Sequence, residues 1–136
     1  LLLIYNYSKM PSAVREAPPS EKEKIVQKLI TYVENHYMEE LSMDRLAGAL
    51  HLNKHYLART FREITGVTVF NYLFQRRINE AKILFLLERD ASVTEICYRV
   101  GFKSLPHFCR LFKQMVNETP EHFRRSLEDV PKAKVR

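Results

Sequence analysis

Leu41-Ser-Met-Asp-Arg-Leu-Ala-Gly-Ala-Leu-His-Leu-Asn-Lys-His-Tyr-Leu-Ala-Arg-Thr-Phe61 and Ala91-Ser-Val-Thr-Glu-Ile-Cys-Tyr-Arg-Val-Gly-Phe-Lys-Ser-Leu-Pro-His-Phe-Cys-Arg-Leu-Phe112 read as two copies of one segment, about fifty residues apart. Ser42 aligns with Ser92, Leu46 with Ile96, Ala47 with Cys97, Leu50 with Val100 and Leu52 with Phe102. One extra residue in the second copy then brings Leu57 onto Phe108, Arg59 onto Arg110 and Phe61 onto Phe112. The apolar framework repeats, and one outward arginine repeats with it. A small chain carrying one helix pair twice is suited to a target that also repeats, and duplex DNA is the first candidate.

Working outward, cap and turn residues punctuate the chain into helices. Ser20-Glu-Lys-Glu23 is a capping box, and Ile25, Leu29, Val33 and Tyr37 behind it predict a first helix to about Tyr37. Ser42 caps a second helix with Met43, Leu46, Ala47 and Leu50 inward. After a tight turn at His51-Leu52, Asn53 caps a third to about Thr65, closed by Gly66 in the left-handed conformation. Thr68 opens a long fourth helix, Val69 to about Leu87, with Phe70, Leu73, Phe74, Ile78, Ala81 and Leu84 on its buried stripes. At ~1.5 Å per residue it is roughly 30 Å long. Ser92-Val-Thr-Glu95 predicts a second capping box, Gly101 a turn, and Ser104 the cap of a sixth helix with Pro106 tolerated in its first turn. Asn117 stands where Gly66 stood, and Thr119-Pro120 starts a last short helix ending near Arg125.

The expected fold is therefore all-α: two helix-turn-helix subdomains joined by a long linker helix, about seven helices in total. Residues 1–20 read as a linker or remnant of an upstream domain and 21–67 as the first subdomain. The linker helix covers 68–88, the second subdomain 89–126 and a frayed basic tail 127–136. Hydrophobic content of 46% and charged content of 28% are those of an ordinary globular chain, and three glycines leave little room for a turn-rich β fold.

The net charge of +6 is concentrated. Residues 54–125 hold thirteen Lys/Arg against seven Asp/Glu, whereas 1–53 balance at −1. The duplicated region is thus the basic one, which favours a polyanionic partner. Leu1-Leu-Leu-Ile-Tyr5 is far shorter than the ~20 residues of a membrane helix and lacks the marks of a signal peptide, so no membrane partner is expected. Cys97 and Cys109 suit a reducing cytoplasm and have no metal spacing.

In a helix-turn-helix the second helix enters the major groove, and side chains near its N-terminal end meet base edges. Leu57, Phe61 and Ile64 face inward on the third helix, leaving Lys54, His55, Ala58, Arg59 and Arg62 outward. On the sixth, Phe108, Leu111 or Phe112, and Met115 face inward, with Leu105, Pro106, Cys109, Arg110 and Lys113 on or near the other side. Arg59 and Arg110 are the expected base readers, since a guanidinium donates two hydrogen bonds to guanine O6 and N7. A lone surface arginine usually does no more than solvate a helix. Recurrence at matched positions favours reading. Lys54, Arg62, Arg76, Arg77, Arg99, Lys103, Ser104, Lys113, Arg124 and Arg125 are candidate phosphate contacts. The helix starts at Thr68 and Thr119 could offer backbone N–H groups to phosphate. Two readers without a two-fold axis predict an asymmetric, directly repeated site. A stiff connector close to the ~34 Å groove repeat would ask the DNA to bend.

The second motif, Ile96-Cys-Tyr-Arg-Val-Gly-Phe-Lys-Ser104, Phe108-Cys-Arg-Leu-Phe-Lys113 and Thr119-Pro-Glu-His-Phe-Arg124, resembles the DNA-binding domain of the AraC/XylS family of bacterial transcription regulators. The first motif is similar through Leu46-Ala47, Leu57 to Phe61, and Gly66 with Arg76 and Arg77 downstream, so the likeness spans about residues 22–126. The resemblance implies two recognition helices, about 53–65 and 104–116, in adjacent major grooves of a promoter. It places base contacts on His55, Ala58 and Arg59, and on Leu105, Pro106, Cys109 and Arg110. It also implies a separate effector or dimerisation domain outside this chain and RNA polymerase as a partner of the full protein, with no cofactor. Cys97 departs from the usual alanine and Asn117 from the usual glycine. Leu105-Pro106 replaces residues more often polar, which points there to thymine methyls or to a mere grip on phosphate.

Rival readings are weaker. His51 and His55 are four apart, but a turn and the Asn53 cap separate them and no third ligand follows, so no metal is expected. His107 and Cys109 are two apart on a helix and do not face each other, and no phosphate loop or nucleophile elbow is present, so the chain is not expected to be an enzyme. A helical protein-interaction module, with Phe70, Phe74 and Phe85 as an exposed partner stripe, is the alternative class.

Overall fold

The structure, a computed structural model, describes residues 19–131. All regular structure among them is helical: α1 (Glu21–His36), α2 (Met43–Leu50), α3 (Lys54–Thr65), α4 (Val69–Leu87), α5 (Val93–Arg99), α6 (Leu105–Val116), α7 (Pro120–Ser126) and a 3-10 turn, Leu127–Asp129. The described residues form two compact units that divide within α4, between Leu73 and Phe74.

In the first unit the Ser20 hydroxyl accepts from the Glu23 N–H at 3.2 Å, and the Glu23 carboxylate accepts from the Ser20 N–H at 3.1 Å. Both halves of that capping box are closed, and α1 starts where the sequence places it. Its buried stripe is Val26, Leu29 and Val33, followed by Tyr37. Ile25, expected inward, lies at the margin and Val26 takes its place. This stripe packs on α2 and α3, where Leu46, Ala47, Leu57 and Phe61 are buried. The first residues of α4 close the unit. The Tyr72 ring lies 6.0 Å from Phe61, and its hydroxyl donates to Glu34 at 2.6 Å.

The second unit is built on phenylalanine. Phe85, Phe102, Phe108 and Phe112 are buried with Ile78, Ala81, Ile96, Cys97 and Val100. Ring centroids stand 5.2 Å apart for Phe102–Phe108, 6.0 Å for Phe85–Phe112 and 5.5 Å for Phe112–Phe123, in the tilted and edge-on arrangements that aromatic quadrupoles favour. Two of the three residues of the alternative partner stripe belong to this core or pack on it, and the third, Phe70, is half-buried. Phe85 is buried, and Phe74 packs at 5.8 Å on Phe102.

The duplication survives in three dimensions. Asn53 and Ser104 cap α3 and α6, and Gly66 and Asn117 end them at φ 81° and φ 70°. His51 and Gly101 occupy the equivalent turns at φ 57° and φ 110°. Lys103 is the extra residue, in the turn before Ser104.

Three expectations are corrected. Ser92 accepts from the Glu95 N–H at 3.0 Å, but among the described residues only Ser20–Glu23 forms the reciprocal bond, so the second capping box is half made. The ordered chain also continues past Arg125. Leu127 packs against the phenylalanine core, and its carbonyl accepts from Arg89 Nη1 at 2.6 Å, so Leu127–Asp129 is held to the second unit. Third, Arg77 is buried at 6% exposure, because it lies four residues from both Leu73 and Ala81 on the inward stripe of α4. Burial leaves little of its surface open to a phosphate. The expected linker 1–20 lies almost wholly outside the described residues.

Candidate nucleic-acid interface

The outward faces of α3 and α6 are built alike. The Asn53 Oδ1 accepts from the N–H groups of His55 and Tyr56 at 2.8 and 3.1 Å, and the Ser104 Oγ accepts from the His107 N–H at 3.2 Å. These caps fix where each helix begins and so which side chains stand in its first two turns. With Leu57 and Phe61 sealed inward, His55, Arg59 and Arg62 are exposed and Ala58 is half-buried. With Phe108 and Phe112 inward, Pro106, Arg110 and Lys113 are exposed and Cys109 is half-buried at the same four places. Leu105 is also half-buried, with part of its side chain against the core.

Charge pairing separates these cations from others on the surface. Lys54 Nζ lies 3.1 Å from Asp44, Arg76 lies 3.0 Å from Glu80, and Arg99 makes a two-pronged bond to Glu88 at 2.7 and 2.8 Å. That bond holds the Glu88 carboxyl below its ordinary range. Arg59, Arg62, Arg110 and Lys113 have no carboxylate partner among the described residues, nor do Arg124 and Arg125. The Arg59 guanidinium lies 5.9 Å from the centroid of the Tyr56 ring, a turn earlier on its own helix. Lys103 is exposed. The hydroxyl oxygens of Thr68 and Thr119 accept from Asn71 and His122 N–H groups at 3.0 and 3.1 Å, leaving their O–H groups to donate elsewhere.

Three side chains escaped sequence reasoning. Arg77 places its guanidinium 5.5 Å from the centroid of the Phe102 ring, and burial lowers its pKa to about 10. Its spacing from Leu73 and Ala81 was a readable signal. The His107 ring sits edge-on to Phe74 and Phe102 at 5.2 and 5.6 Å. Burial, then the charges of Arg110 and Arg77, hold His107 below the usual histidine range. Arg89 donates to the Leu86 and Leu127 carbonyls at 3.1 and 2.6 Å, tying the end of α4 to the 3-10 turn. Nothing local in the sequence marks that bond. Among the described residues no cluster of His, Cys, Asp or Glu is arranged for a metal ion, and no helix is long and apolar enough to cross a membrane.

Residues 46–126 match the helix-turn-helix domain family. The HTH-type transcriptional activator RhaS of Escherichia coli O139:H28 is 36% identical over 96 residues, which cover 71% of this chain and 34% of that protein. A transcriptional regulator with an AraC-type DNA-binding domain, from Chromobacterium violaceum, superposes with a TM-score of 0.70 at 26% identity, over 79% of this chain and 95% of that one. The C-terminal domain of AraT, a response regulator from Geobacillus stearothermophilus, gives 0.72 at 26% identity, over 79% and 88%.

The chain belongs to the AraC/XylS family.

It spans between 34% and 60% of the length of the curated relatives it matches, so it corresponds to one part of such regulators. The matched region takes in α3, α4, α5 and α6 whole. The all-helical fold expected from the caps and spacings is the fold of this family.

Proposed function

We propose that this AraC/XylS domain binds double-stranded promoter DNA sequence-specifically by placing α3 and α6 in adjacent major grooves. One observation carries the reading: the faces 55/58/59/62 and 106/109/110/113 match position for position, and each holds an arginine with no carboxylate partner among the described residues. A cation left unpaired in both copies is available to a polyanion, and its place in the second turn of a recognition helix is where base edges are met. In this reading His55, Ala58 and Arg59 contact bases in one half-site, and Leu105, Pro106, Cys109 and Arg110 in the other. Arg62, Lys103, Lys113 and Arg124 contact phosphates, with Lys54 and Arg76 recruited if their surface ion pairs open, and with the Ser104, Thr68 and Thr119 hydroxyls donating. The site is an asymmetric direct repeat. RNA polymerase contact and effector control belong to the whole regulator.

Selection of bound duplexes from a random pool tests the reading. Two directly repeated half-sites about 10 base pairs apart are expected. Recovery of a single half-site would refute the two-reader mechanism. On the selected site Arg59→Ala and Arg110→Ala each cost roughly 1–3 kcal/mol and relax preference at one base pair. Equal losses on selected and random DNA would reduce both arginines to phosphate contacts.

A further inference from the structure

The matched faces differ in one chemical respect. At the start of α3, His55 is exposed and Arg59 follows one turn later, so two hydrogen-bonding side chains stand on that face. At the start of α6 the corresponding groups are absent or turned away. Pro106 replaces His55 and, at N1/N2 of the helix, carries no N–H. His107, the one imidazole nearby, is packed edge-on against Phe74 and Phe102 at 5.2 and 5.6 Å. Cys109 replaces Ala58, and burial raises its thiol pKa, so it stays a neutral and weakly hydrogen-bonding group. Leu105 and Cys109 are both seated against the phenylalanine core, which holds their outer atoms in place.

We infer that the second reader recognises its half-site through thymine methyl groups: Leu105, Pro106 and Cys109 form an apolar lip for C5-methyls, with Arg110 as the one strong hydrogen-bonding reader beside them. The inference rests on the DNA-binding reading above. The major-groove edge of thymine is distinguished by its methyl, the apolar group that an apolar side chain can detect. A lip without donors or acceptors also penalises edges rich in polar groups, since their lost water contacts go unreplaced. The second half-site is therefore one or more thymines beside a guanine that faces Arg110, while the first is read mainly by hydrogen bonds.

The test alters the DNA, and then the lip. Sites are selected with the present chain, and the half read by α6 is identified as the one whose preference Arg110→Ala relaxes. Each thymine in that half is then replaced by deoxyuridine, which removes the methyl and keeps every hydrogen-bonding group. Affinity is expected to fall about fourfold per contacted thymine, the effect of exposing one buried methyl. In Cys109→Ser or Leu105→Ala protein the ratio of thymine to deoxyuridine affinity should shrink toward one. Because that ratio is taken within one variant, loss of stability cancels from it. An α6 half that lacks thymine, is indifferent to deoxyuridine or shows no base preference would overturn this inference and leave DNA binding standing. Failure to enrich any site would overturn both.

Discussion

His51 and Gly101 stand at the same point of the two copies, and both adopt positive φ, 57° and 110°. For a side chain other than glycine that conformation costs about 1–2 kcal/mol, partly offset by the greater freedom glycine loses on folding. His51→Gly should therefore stabilise the chain by about 0.5–1 kcal/mol, read as a higher urea midpoint at unchanged slope. A lower midpoint would mean that the His51 side chain makes a contribution the turn geometry does not account for. At Gly66 and Asn117 the left-handed residues were legible, because glycine and asparagine are the residues that tolerate this region. At His51 the sequence carried no such flag, and the geometry is imposed by the repeat around it.

At the scale of one helix, local chemistry predicts where an element starts and stops, and packing decides which of its faces is exposed. Asn53, Ser104, Thr68 and Thr119 gave the beginnings of α3, α6, α4 and α7 correctly, because a cap involves only neighbours three residues away. The face of α4 is another matter. Arg76 and Arg77 are adjacent basic residues, yet one pairs with Glu80 at the surface and the other lies under Phe102. This makes them separable in solution. Lys113→Ala and Arg62→Ala should each reduce the slope of log affinity against log salt by about 0.9, the share of one phosphate contact. Arg77→Ala should leave that slope unchanged and lower the urea midpoint, since it removes a guanidinium packed on an aromatic ring. A changed slope in Arg77→Ala would return it to the phosphate-contacting set.

Across the whole molecule, the charge of +6 collects in the duplicated region, and its effect depends on which cations are already paired. Lys22, Lys24, Arg45, Lys54, Arg76 and Arg99 are held in ion pairs, while Arg59 and Arg62 on α3 and Arg110 and Lys113 on α6 have no carboxylate partner among the described residues. Stability should also respond to pH through His107. Burial and the nearby Arg110 and Arg77 charges lower its folded pKa, so the unfolded chain binds a proton more readily than the folded one. Unfolding then takes up that proton, and stability falls as pH drops from the unfolded value of about 6.5 toward the folded pKa. In His107→Gln the fall in urea midpoint between pH 7.5 and pH 5.5 should be smaller. An equal fall would assign the pH dependence to other groups.

The sequence alone determined the helices, their caps, the duplication and the family, because these rest on short-range rules: spacing of apolar residues, capping within one turn and residues that tolerate left-handed backbone. It also placed Arg59 and Arg110 at matched outward positions of the two copies. Only the tertiary structure decided that Arg77 is buried, that the His107 ring packs edge-on to Phe74 and Phe102 and that Leu127 is held by Arg89. Each of those depends on partners far along the chain, Phe102 for Arg77 and Phe74 for His107, whose distances no local pattern encodes. The two readers are one scaffold by sequence. Their surfaces differ because Pro106 and Cys109 stand where His55 and Ala58 do, and tertiary packing adds that the His107 ring lies edge-on to Phe74 and Phe102.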